Sequence, residues 1–159
     1  MKRMIIFATA LLAMAPLVTT PLSGALANDD GKDGAKGKLG LAGLLSAQNR
    51  ETLPKLTLSA GTPLAAAPLT LKSGRYYKLS IEADGSQELA LEGPGFFRAI
   101  WVNEIVIEGI EIRPLGVDSL EFDEAGEAEI SFIAIKPGSY HLKVPGTTGE
   151  LQTVAITIE

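Results

Sequence analysis

From Leu53 onward, apolar side chains recur at every second residue in one run after another, and no long helical pattern separates the runs. In residues 75–82, Tyr77, Leu79 and Ile81 alternate with Lys78, Ser80 and Glu82. In residues 127–135, Ala128, Ile130, Phe132 and Ala134 share one side. Tyr140, Leu142 and Val144 alternate with His141 and Lys143, and Val154, Ile156 and Ile158 line up near the end. A half-buried strand needs this pattern, because successive side chains point to opposite faces of a sheet. Turn chemistry separates the runs: Lys72-Ser73-Gly74, Asp84-Gly85, Gly93-Pro94-Gly95, Glu124-Ala125-Gly126, Lys136-Pro137-Gly138 and Pro145-Gly146. Short strands spaced in this way predict an all-β sandwich or small barrel. Between residues 104 and 113 the apolar phase slips at Gly109, from Ile105 and Ile107 to Ile110 and Ile112. That slip predicts a β-bulge or a bend.

The N-terminus is of another kind. Lys2 and Arg3 precede an apolar run over residues 4–18, and Ala25-Leu26-Ala27 follows. A positive start, an apolar centre and a small-residue end are the secretory signal pattern, with cleavage expected between Ala27 and Asn28. The run is short for a membrane span, which wants about 20 apolar residues. The expected organisation is a signal peptide at 1–27, a flexible leader with room for a short helix at 28–52, and one domain at 53–159. A periplasmic location follows from that reading, with no membrane contact after signal removal. Within the leader, Asp29-Asp30-Gly31-Lys32-Asp33-Gly34 has the look of a calcium loop. The carboxylate needed at its twelfth position is missing, because Gly40 stands there.

Removal of residues 1–27 takes away Lys2 and Arg3 and no acid, moving the formal net charge from −5 to −7. Nucleic acid is therefore not an expected partner, since phosphate binding needs clustered Lys and Arg. The chain has no cysteine, which removes thiol catalysis, disulfide exchange and thiolate metal ligation.

Two segments carry a family resemblance. The stretch Pro68-Leu69-Thr70-Leu71-Lys72-Ser73-Gly74-Arg75-Tyr76-Tyr77 resembles the edge strand and turn that open many cupredoxins. Gly126-Glu127-Ala128-Glu129-Ile130-Ser131-Phe132, followed by Ile135-Lys136-Pro137-Gly138-Ser139-Tyr140, is similar to the cupredoxin segment that leads into the copper loop. The resemblance covers about residues 53–159 and implies a cupredoxin-like Greek-key β-sandwich. Blue copper needs two imidazoles, a thiolate and a weak axial ligand. The resemblance puts the thiolate at Val144, the second imidazole and the methionine within residues 145–152, and the first imidazole near residues 86–88. None of those positions holds its ligand. The chain is thus similar to a copper-ligand-less variant, like the cupredoxin-like domains of periplasmic metal-uptake proteins, and no cofactor is expected.

The other candidate residues are few. His141, the single histidine, sits beside Lys143 on the polar side of a strand; it reads as a solvated surface residue or, functionally, as a surface copper or iron ligand or a pH-sensitive contact. The many carboxylates, densest over residues 118–129, suit a hard cation or simply form the polar faces of strands. Phe96, Phe97, Arg98 and Trp101 gather three aromatics around an arginine, the composition of an interface anchor or of a core plug. No G-x-S-x-G motif, nucleophile constellation or phosphate loop is present, so no enzyme activity is expected. The leading expectation is an exported binding or accessory protein that acts through protein contacts, in a metal-handling or respiratory setting. The alternative is a weak copper or iron carrier using His141 and surface carboxylates.

Overall fold

The alternating runs become strands, and their apolar positions become the core. A computed structural model describes residues 43–159. The expected signal peptide, the cleavage point between Ala27 and Asn28, and the leader up to residue 42 lie outside the described residues. The first half contributes β1 (Arg50–Thr52), β2 (Leu56–Leu58), β3 (Leu69–Leu71), β4 (Tyr76–Ala83), β5 (Leu89–Glu92) and a one-turn helix, α1 (Pro94–Phe97). The second half contributes β6 (Ile100–Ile107), β7 (Ile110–Ile112), β8 (Ser119–Phe122), β9 (Gly126–Ala134), β10 (Gly138–Lys143) and β11 (Thr153–Ile158).

Two sheets face each other across one core. The first runs β1-β4-β9-β6-β7, with β2 also on β4; the second runs β3-β11-β10-β5-β8. β1 and β2 pair parallel with opposite ends of β4, so they are one edge strand interrupted at Leu53-Pro54-Lys55. Proline cannot donate to a ladder and is confined to edges or breaks, which is where Pro54 falls. Between the sheets Tyr77, Leu79, Ile81, Ala128, Ile130, Phe132, Leu142, Val154, Ile156 and Ile158 are all buried. Fully burying one such large side chain stabilises the fold by about 1.5–3 kcal/mol.

Two expectations change. The sandwich begins at Arg50 rather than Leu53, because the last residues of the expected leader are already tied down. Asn49 is buried, and its Nδ2 donates to the carbonyls of Leu44 at 2.7 Å and Gly74 at 2.9 Å. At Gly109 the phase slip is neither a bulge nor a gentle bend but a two-residue hairpin turn between β6 and β7, closed by the Ile107–Ile110 pair. Both turn residues have positive φ, 49° at Glu108 and 81° at Gly109. That combination matches the twist of the flanking strands. For Glu108 it carries a strain of about 1 kcal/mol that glycine would avoid. The bulge itself lies at Asn103, where the β6–β9 register shifts between Val102 and Glu104.

The Pro-Gly-x-Tyr motif has a direct physical reading. The Tyr140 hydroxyl donates back to the Lys136 carbonyl at 2.9 Å, closing the corner that leads into β10. Gly138 has φ of 153°, and a Cβ there would stand 2.9 Å from that same hydroxyl. Glycine is needed so that the tyrosine ring can fold over the turn.

Candidate functional site

The end of the sandwich where a cupredoxin would carry copper is formed here by residues 59–64, 84–88 and 144–152. Val144, in the thiolate position, is buried and belongs to the same core cluster as Leu64, Leu91 and Val154. Its N–H donates to the Gln152 carbonyl at 2.9 Å, and its own carbonyl accepts from the Thr147 hydroxyl at 2.7 Å. Gln152 fastens the closing loop to the first one, its Nε2 donating to the carbonyls of Ser59 at 3.1 Å and Thr62 at 2.5 Å. The middle loop joins them through Ser86, whose hydroxyl accepts from the Ala60 N–H at 2.9 Å. Hydrogen bonds thus tie these three loops to one another.

This donor set does not fit type 1 copper. There is no cysteine, the methionines are Met1, Met4 and Met14 alone, and His141 is exposed on β10 opposite Ala155 of β11. Among the described residues, no group of three or more His, Asp or Glu is placed to hold a metal ion.

Asp84 is the one carboxylate at this end with a clearly altered acidity. Hydrogen bonds from the Ser59 hydroxyl, then from the hydroxyl and N–H of Ser86, lower its pKa to about 2. The Ser86 N–H lies 2.9 Å from Oδ1. The folded carboxyl ionises more readily than the unfolded one, so its stabilising contribution is complete above the ordinary value of 3.8 and is lost as pH falls through about 2. A carboxyl-carbon NMR titration is expected to place the Asp84 midpoint near 2. Ser59→Ala should move it up toward the ordinary carboxylate range, and an unmoved midpoint would remove the serine cause.

The aromatic stretch 96–101 divides between core and surface. Pro94 starts α1, and the Phe97 N–H donates to the Gly93 carbonyl at 2.9 Å, which turns both phenylalanines inward. Phe96 is 1 % exposed, with its ring centroid 5.5 Å from Phe132 in an edge-on arrangement and 6.5 Å from Tyr140. Phe97 is buried as well. As contact residues these two are therefore corrected: burial takes them off the surface. Arg98 and Trp101 remain exposed. Arg98 pairs with Asp118 at 3.3 Å beside a hollow of about 590 Å³ lined also by Ile100, Leu115 and Val117. Trp101 points outward from the first sheet opposite Ile133.

Sequence reasoning missed a second exposed group. Ile107, Ile110 and Ile112 face the inner side of the first sheet by register, yet all three are exposed, as is Leu115 three residues on. Among the described residues, β7 is the edge strand of its sheet. The signal was present in Glu108-Gly109, a turn followed by only three strand residues before Pro114.

No family model matches the chain, and no curated protein matches it. Solved structures do. A multi-copper oxidase from Pseudomonas thermotolerans superposes with a TM-score of 0.52 at 15% identity, over 70% of this chain and 30% of the oxidase. One from Pseudomonas parafulva gives 0.51 at 15%, over 69% and 30%. The chain spans about three tenths of the length of these oxidases. At such identity the likeness concerns the fold alone, and the fold is a cupredoxin-like β-sandwich.

Proposed function

We propose that this chain is an exported, non-enzymatic cupredoxin-like protein that acts through surface contacts with a protein partner in the periplasm. The observation that carries the reading is Val144. A core valine, clamped by backbone hydrogen bonds, takes the place of the thiolate on which the family's redox chemistry depends. The contact reading is further supported by exposed Trp101, Ile110, Ile112 and Leu115 on a chain whose acids outnumber its bases. The periplasmic setting rests on the signal pattern of residues 1–27.

Two measurements test this. Equilibrium dialysis against Cu(II), Fe(III) and Ca(II) is expected to give no stoichiometric uptake below about 1 μM, an affinity worth about −8 kcal/mol. Tight stoichiometric uptake would replace the contact reading with a carrier. Photo-cross-linking residues installed singly at Arg98, Trp101 and Ile110 in the exporting cell are expected to give a discrete adduct at one position or more. Adducts at none would sink the proposal.

A further inference from the structure

The edge strand β7 offers a more specific surface, and the inference drawn from it rests on the contact reading above and sharpens it. On one face Ile110 is 66% and Ile112 42% exposed, continued by Ile107 on β6. On the other face Glu111 stands opposite Val106. Among the described residues, no strand neighbours the side of β7 away from β6. The chain is acidic in sequence here: between residues 104 and 129 there are nine acids and one base, Arg113. Arg113 is engaged by Glu104 at 3.0 Å and Glu111 at 3.1 Å. On the hairpin itself, Glu108 has no basic ion-pair partner among the described residues. Glu108 is also the one non-glycine residue among them with positive φ, at the tip of the hairpin. The turn would be relaxed by glycine, and a carboxylate is there instead.

We propose that β7 is a docking edge for an extended segment of another protein, one alternating apolar with basic side chains, which adds as the next strand. The apolar side chains of that segment cover Ile110 and Ile112, and its basic side chains meet Glu108 and Glu111. Strand addition draws affinity from main-chain hydrogen bonds and specificity from alternate side chains, and this edge presents both. Charge weighs against a second copy of this chain, whose antiparallel edge centred on residue 111 would set Glu111 against Glu111.

The probe is a synthetic peptide of alternating Lys and Val, with a Glu-Val peptide as control, titrated into the ¹⁵N-labelled protein. The Lys-Val peptide is expected to shift the amide resonances of residues 107–115 and to bind about tenfold more weakly in high salt. Ile110→Ser, at an exposed position, should leave the melting temperature unchanged and weaken binding at least tenfold. No shift at millimolar peptide, or shifts centred on Arg98 and Trp101, would overturn this edge while the photo-adducts kept the contact reading alive. Concentration-dependent self-association that Ile110→Ser abolishes would overturn it in favour of a second copy. A binding response equal for both peptides would also overturn it, because the acids would then select nothing.

Discussion

Phe96→Ala is expected to lower the free energy of unfolding by about 3–5 kcal/mol, the usual cost of emptying a buried phenylalanine site. The ring is 1 % exposed and touches Phe97, Phe132 and Tyr140, which come from α1, β9 and β10. Its loss thus opens a cavity where the two sheets meet the helix. Arg98→Ala, two residues on, should stay within about 0.5 kcal/mol. Its ion pair with Asp118 is solvent-exposed on both sides, and such pairs contribute little. Urea unfolding of both variants separates the roles that the sequence ran together. If Phe96→Ala left the midpoint where it was, the ring would not be core.

Gly93→Ala should cost about 1–3 kcal/mol, the range for overpacking. At Gly93 φ is −179°, outside the left-handed region that favours glycine. The obstacle is space. A Cβ would stand 2.5 Å from Leu142 Cδ2 and 2.8 Å from the His141 carbonyl oxygen. The leucine tip can move, but the carbonyl belongs to the strand itself. The push falls on the one pair that joins β5 to β10, Lys143 opposite Glu92, and threatens that junction. Gly95→Ala is the control, because its nearest neighbour would be Tyr140 Cδ1 at 3.9 Å. Thermal melts should show the first variant clearly destabilised and the second close to the parent; equal melts would mean that β5 yields freely.

Much of the fold was legible because alternation depends only on the strand's own sequence. Tyr77, Leu79 and Ile81, then Ala128, Ile130 and Phe132, are inward-facing as their spacing predicts. The Pro-Gly-x-Tyr segment likewise declared its corner, since the requirement for Gly138 and the hydroxyl bond both act within five residues. What was not legible depends on partners distant in the chain. Whether Phe96 and Phe97 face core or solvent is decided by Phe132 and Tyr140, which no local pattern identifies. Arg50 to Thr52 are all exposed and read as leader; only their parallel pairing with β4 makes them a strand. The missing copper ligands were visible as residue identities. The loop clamp by Gln152 was not, because its acceptors lie some 90 residues earlier.

The parallel pairing of β3 with β11 sets the order of assembly. Leu69 is matched to Ile156 and Leu71 to Ile158, so the second sheet's edge waits for a strand 87 residues downstream of its partner. Closing so long a loop must precede any gain from the contacts it allows. Chains dominated by such distant pairings fold in about milliseconds to seconds rather than microseconds. During synthesis, the β3 pairing seen among the described residues must wait until β11 emerges. The six residues of β11 therefore act as a latch on the fold, and a chain stopped short of Thr153 has an incomplete second sheet, with Leu69 and Leu71 robbed of their paired strand.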